Sequence, residues 1–181
     1  MTTQKNVATW GDLKAELTDV DRAALLRLVQ DLYALSKENQ TFLHARFALG
    51  ADVLQPYKSA IYRWLWPDGI KSWDTSVAKA KKAIADYKKA IGRPDGAVEL
   101  MVFYCECASG FSNEVGLQDE GYFNALVRMF EHTLSTIDSL PLAHRTPWWR
   151  RLDAVRRISH NFGYGVGDDM DALLKEREID D

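Results

Sequence analysis

Glu99, Glu106 and Asn113 stand seven residues apart, a spacing that lines them along one face of a helix. Carboxylates arranged in this way are the raw material of a bridged metal site in a helical bundle. Glu114, Asp119, Glu120, Glu131 and His132 lie nearby in the chain. A di-iron bundle, however, draws two ligands per helix from Glu-x-x-His pairs. No Glu stands three residues before His44, His132, His144 or His160, and HExxH is absent. Glu131 and His132 are adjacent and diverge by about 100° on a helix. No metal ligand set is therefore expected, and a carboxylate-metal enzyme around Glu99 and Glu106 stands as the third of three readings. The plainer expectation is that both carboxylates reach solvent at one edge or pair with arginine from a neighbouring helix.

Nucleophilic chemistry has less to work with. Cys105 and Cys107, the only two cysteines, sit two apart in an apolar segment. On a helix their side chains point about 200° apart, so they neither pair nor share a metal easily. Thiols in such surroundings keep a high pKa and stay inert. No G-x-S-x-G elbow occurs. No catalytic residue and no cofactor are expected.

The glycine-rich stretch NFGYGVGDDMD, residues 161–171, invites a phosphate-loop reading. Gly163, Gly165 and Gly167 have the wrong spacing for G-x-G-x-x-G, and they follow a helix rather than a strand. Asp168 suits a helix N-cap and Asp169 and Asp171 its first turn, where the dipole favours negative charge. The same carboxylates would repel a bare phosphate. The expected role is a structural joint between helices built on Gly163, Gly165, Gly167 and Asp168.

Cations are the remaining candidates. Lys81, Lys82, Lys88 and Lys89 are expected on the solvent side of one helix, opposite its apolar seam. Arg150, Arg156 and Arg157 lie on a later helix together with Trp149 and with Arg151. Side by side, the two faces would grip phosphate, with tryptophan free to stack on bases. Arginine this close to the apolar helix would equally neutralise Glu99 and Glu106.

What must position these residues is helical almost throughout. The 181 residues carry 46% hydrophobic and 27% charged side chains, with six Trp, seven Tyr and seven Phe, enough for a substantial core. A net charge of −3 gives no global drive toward nucleic acid or an anionic membrane. MTTQKNVATW lacks the apolar core of a signal peptide, and the longest apolar run, AVELMVFYCECA, is too short to span a bilayer; a cytoplasmic protein is expected.

Thr18 and Asp19 stand where an N-cap belongs, ahead of a helix with the stripe Leu25, Leu28, Val29, Leu32 and Leu35. A helix capped by Ser36 runs toward Gly50, and another spans about 52–66, stopped by Pro67-Asp68-Gly69. The next, about 74–91, carries the seam Trp73, Val77, Ala80, Ile84, Tyr87 and Ile91. AVELMVFYCECASGF is apolar on nearly every side, as the most buried helix would be. Helices follow at about 119–137, after Pro147, and from about 168 to 177. The expected architecture is all-α, about eight helices in antiparallel hairpins forming an irregular bundle or a short HEAT-like stack. One domain over 1–181 is expected, frayed at 1–8 and 178–181.

DLYALSKENQTFL, KAKKAIADYKK, FYCECASGFSNEVG and DEGYFNALVRMFEHTL resemble a bacterial family of small all-helical proteins, a domain of unknown function, over most of residues 12–174. The resemblance implies an all-helical cytoplasmic protein and carries over no catalytic residue. Trp64 and Trp66 diverge by about 200° on a helix and Trp148 and Trp149 by about 100°, so either one member of each pair is partly exposed, as a binding hot spot would be, or both cover grooves between helices. A protein-binding or scaffold module is therefore the first expectation, its partner another protein or a second copy of the chain. A nucleic-acid-associated factor comes second.

Overall fold

The computed structural model describes residues 8–50, 52–67 and 74–178. Trp73, Asp68 and Gly69, assigned above to a seam and a stop, lie outside the described residues, as do all but residues 8 and 178 of the ends expected to fray, 1–8 and 178–181. Among the described residues there are nine α-helices, one short 3-10 turn and no strand: α1 (Trp10–Thr18), α2 (Arg22–Leu35), α3 (Lys37–Arg46), α4 (Gln55–Leu65), α5 (Val77–Ala90), α6 (Pro94–Val115), α7 (Glu120–Asp138), the turn Leu142–His144, α8 (Thr146–Ser159) and α9 (Val166–Glu178). The chain divides into two compact units, Met1–His44 and Ala45–Asp181.

In the first unit, α1 is a helix the periodicity did not announce. It starts on a capping box in which the Thr9 hydroxyl accepts from the Asp12 amide and the Asp12 carboxylate accepts from the Thr9 amide. Thr18 and Asp19 consequently close α1 instead of opening α2, whose N-cap is Asp21, accepting from the Ala24 amide at 2.8 Å. Ser36 does cap α3, through the Asn39 amide, but the helix stops at Arg46, four residues before Gly50. The α2–α3 corner is tied by polar groups: Asn39 donates to the Leu32 carbonyl, Gln40 to the Tyr33 carbonyl, and the Tyr33 hydroxyl meets His44 Nε2 at 3.0 Å. No residue of α1 or α2 is buried.

The second unit is built around α6. Thirteen of its residues are buried, among them Leu100, Met101, Val102, Tyr104, Cys105 and Phe111. It packs against α4, α5, α7 and α8, while α9 closes over α7 and α8. Pro94 opens α6, and Gly116, left-handed at φ 64°, ends it. Gly110 lets the Trp66 indole lie directly on the helix; a Cβ there would stand 2.5 Å from Trp66 Cζ3. The seam predicted for α5 is observed, with Ala80, Ile84 and Tyr87 buried against α4 and α6. No described helix is long and apolar enough to cross a membrane.

Candidate functional site

Glu99 and Glu106, on one face of α6, meet cations from two other helices. Arg151 of α8 donates from Nε and Nη2 to the two oxygens of Glu106, each at 2.7 Å, and from Nη1 to Glu99 at 2.5 Å. Lys58 of α4 reaches the other oxygen of Glu99 at 2.5 Å. Two carboxylates and two cations balance in charge, and Trp148 lies against the guanidinium, its ring 5.6 Å from Arg151 Cζ. Burial raises the pKa of the Glu99 carboxyl, but the hydrogen bonds and charges of Arg151 and Lys58 outweigh that and hold it below its usual value. Arg151 is pushed upward, chiefly by its hydrogen bonds to Glu106. Each carboxylate faces a cation, so the arrangement stitches α4, α6 and α8 together and offers no bare oxygen pair to a metal.

Both cysteines are free thiols buried in the core. Burial pushes the Cys107 thiol up to about 12 and Cys105 higher still.

The glycine joint differs in detail from the expectation. Helix α9 starts at Val166, so Gly167 and Asp168 lie inside its first turn and Asp168 is not the cap. Gly165 precedes the helix at φ 71°, and its carbonyl accepts from the Asp169 amide. Tyr164 is also left-handed, at φ 61°, and the joint is held from below by Phe162 stacked on Phe123 at 5.3 Å. Gly163 and Gly167 serve close approach: a Cβ would meet Gln118 Oε1 at 2.7 Å and His160 Nδ1 at 2.5 Å respectively. His160, Asp168 and Asp171 bring ligand atoms within 4.8 Å of one another, the one such group among the described residues. Arg156 already holds Asp171 at 2.6 Å and His160 Nε2 lies 3.2 Å from it, which makes the cluster a surface ion-pair knot at the start of α9.

The basic faces do not form as pictured. Helix α5 packs on α4 and α6, whereas α8 packs on α6 and α9, so neither is a principal neighbour of the other. Arg156 pairs with Asp153 and Asp171, Arg157 with Asp153, and Lys82 with Asp86. Arg150 and Lys89 are exposed, while Trp149, like Trp64, Trp66 and Trp148, is half-buried against the core. Lys79 sits 3.7 Å above the Trp64 ring. None of these four tryptophans is the exposed anchor anticipated; among the described residues the exposed tryptophan is Trp10, at 68%.

Lys88 is exposed, as expected, and Lys81 half-buried, and both line an open groove of about 320 Å³ between α5, α6 and α7, with Ile84, Ala85, Met101, Arg128, Met129 and His132. Residues 81, 84, 85 and 88 share one face of α5, and 128, 129 and 132 lie together on α7, but neither spacing says that the two faces meet.

The first unit carries an exposed apolar stripe. The α2 stripe keeps its helical alignment, yet Leu25, Leu28, Val29, Leu32 and Leu35 are 36%, 39%, 43%, 46% and 76% exposed. On α1, Trp10 and Leu13 are exposed as well.

Comparison of the chain with family models, curated proteins and solved structures finds no match.

Proposed function

We propose that this chain is a protein-interaction module whose docking face is the α2 stripe and whose occupant is the same stripe of a second copy. The observation that supports the reading is the pattern of that stripe together with its exposure. Leu25, Leu28, Leu32 and Leu35 repeat at three, four and three, the a/d spacing by which two helices interlock as knobs into holes. A 14-residue helix is marginal in water on propensity alone and needs a buried face. Neither α1 nor α2 contains a buried residue. Burying a leucine fully is worth about 1.5–3 kcal/mol, so covering four half-exposed leucines is a substantial driving force. The seam carries no charge, so an identical stripe meets no repulsion there, while Arg22, Arg27 and Asp31 flank it with mixed sign.

The test is charge complementation. One preparation carries Leu28→Lys with Leu32→Lys, the other Leu28→Glu with Leu32→Glu. Each alone should be monomeric by light scattering, and mixing them should restore a dimer whether the helices run parallel or antiparallel. Two variants that associate as well as the unaltered protein, or that stay monomeric when mixed, would overturn the reading.

A further inference from the structure

Residues 8–44 form helices without a core. None of them is buried, and even the best covered apolar side chains, Leu17, Val20 and Leu43, are only half-buried. Every member of the hydrophobic core comes from Ala45 onward. No two of α1, α2 and α3 make one of the principal helix packings among the described residues. What ties α2 to α3 is polar and exposed: the side chains of Asn39 and Gln40 on the Leu32 and Tyr33 carbonyls, and the Tyr33 hydroxyl on His44. Water competes for exposed hydrogen bonds, so each adds little net stability. The Thr9 and Asp21 caps start their helices but bury nothing.

Such a unit has little to set against the entropy lost in ordering its backbone. Its helices of 9, 14 and 10 residues are at or below the length at which an isolated helix persists in water. Folding units shorter than about 40 residues rely on disulfides, a metal or association. No cysteine precedes Cys105 in the chain. The one cluster of metal-ligating side chains among the described residues, His160 with Asp168 and Asp171, belongs to the other unit. Association is what remains, and the α2 stripe is the face available for it.

We infer that folding of this unit and pairing of two copies are a single step: the helices of residues 10–44 are the conformation of the pair, and a separated chain loses them while the Ala45–Asp181 unit stays folded around α6. The inference rests on the α2 pairing proposed above. It adds that the docking face does not exist ready-made in the lone chain, so the fold of this unit responds to the concentration of the protein.

Hydrogen exchange followed by mass spectrometry on the full chain, with the mass in solution measured on the same samples, tests this. Leu28→Lys with Leu32→Lys replaces strong helix formers with residues of similar propensity, so an α2 that melts in this variant has lost its partner and not its helix preference. Amides of α2 in the variant should exchange about a hundredfold faster than in the unaltered pair, while those of α6 keep their protection. Mixing with the Leu28→Glu, Leu32→Glu protein should restore both the doubled mass and the α2 protection. A variant of single-chain mass whose α2 amides stay as protected as in the pair overturns the inference and leaves the pairing standing. Loss of α6 protection together with α2 overturns it as well, since the two units would then unfold together. An unaltered protein of single-chain mass at every concentration removes the pairing itself, and the inference with it.

Discussion

Arg151 grips both oxygens of Glu106 in a two-pronged pair, each bond 2.7 Å long, and this contact fastens α8 to the most buried helix of the protein. The same guanidinium holds Glu99, which Lys58 holds from the other side. Arg151→Met leaves Glu106 without a partner and Glu99 with one. Breaking a fully buried pair costs about 3–5 kcal/mol. With the Arg151 side chain 31% exposed, a loss of about 2 kcal/mol is expected, a fall in Tm of about 4–8 °C. The Glu99 carboxyl is held below its ordinary value of 4.5, so its contribution to stability is full above that pH and disappears as the pH falls through the folded value. Denaturant titrations from neutral pH down to acid should show this loss in the unaltered protein and a shallower one in Glu99→Gln.

Gly110 and Trp66 make the reverse of the usual glycine prediction. Inside an exposed helix Gly→Ala stabilises by about 1 kcal/mol. Here the new methyl would stand 2.5 Å from the indole, so Gly110→Ala must displace Trp66 and should destabilise by about 1–3 kcal/mol. Trp66→Leu in the same background should recover part of the loss, measurable by thermal unfolding.

His132 gives a pH dependence of opposite sense to the usual ion-paired histidine. Its pKa is lowered from 6.5, by burial and by Lys88, against a smaller upward pull from Glu131. The unfolded chain therefore takes up the proton first. Stability is full above about pH 6.5 and declines as the pH drops below it. His132→Gln should flatten this part of the profile, and Lys88→Gln should reduce its slope.

How far the sequence could reach is clearest on α5. Ala80, Ile84 and Tyr87 are buried because each lies three or four residues from the next, a purely local pattern. Lys81 and Lys88 flank that same seam, and what makes them groove residues is α7 bringing Arg128 and His132 alongside, a pairing across about forty residues that no local period encodes. The ion pairing of Glu99 and Glu106 was legible as one of two outcomes, since charges on the most apolar helix need partners. That the partner would be Arg151, and not Arg150 or Arg156, depends on how α8 is rotated on α6. The α2 stripe was legible as a stripe; its exposure was not, because amphipathicity says which face seeks cover and not what covers it. Helix α1 escaped because its signal is a cap, Thr9 with Asp12, and not a period.

Gly165 tests the joint before α9. At φ 71° any side chain with a Cβ is strained, so Gly165→Val should cost about 1–2 kcal/mol. Gly163→Val should also destabilise, by forcing Gln118 aside and not by backbone strain. Chemical denaturation of the two variants separates these causes: Gln118→Ala should rescue Gly163→Val and leave Gly165→Val unchanged.

The mass of the intact protein in solution, followed by sedimentation equilibrium over a wide range of concentration, tests the central claim most directly. A chain of 20.6 kDa that pairs through α2 should approach twice that mass as concentration rises, and Leu28→Lys with Leu32→Lys should hold it at the single-chain value. An unaltered protein that remains at 20.6 kDa throughout would contradict the account.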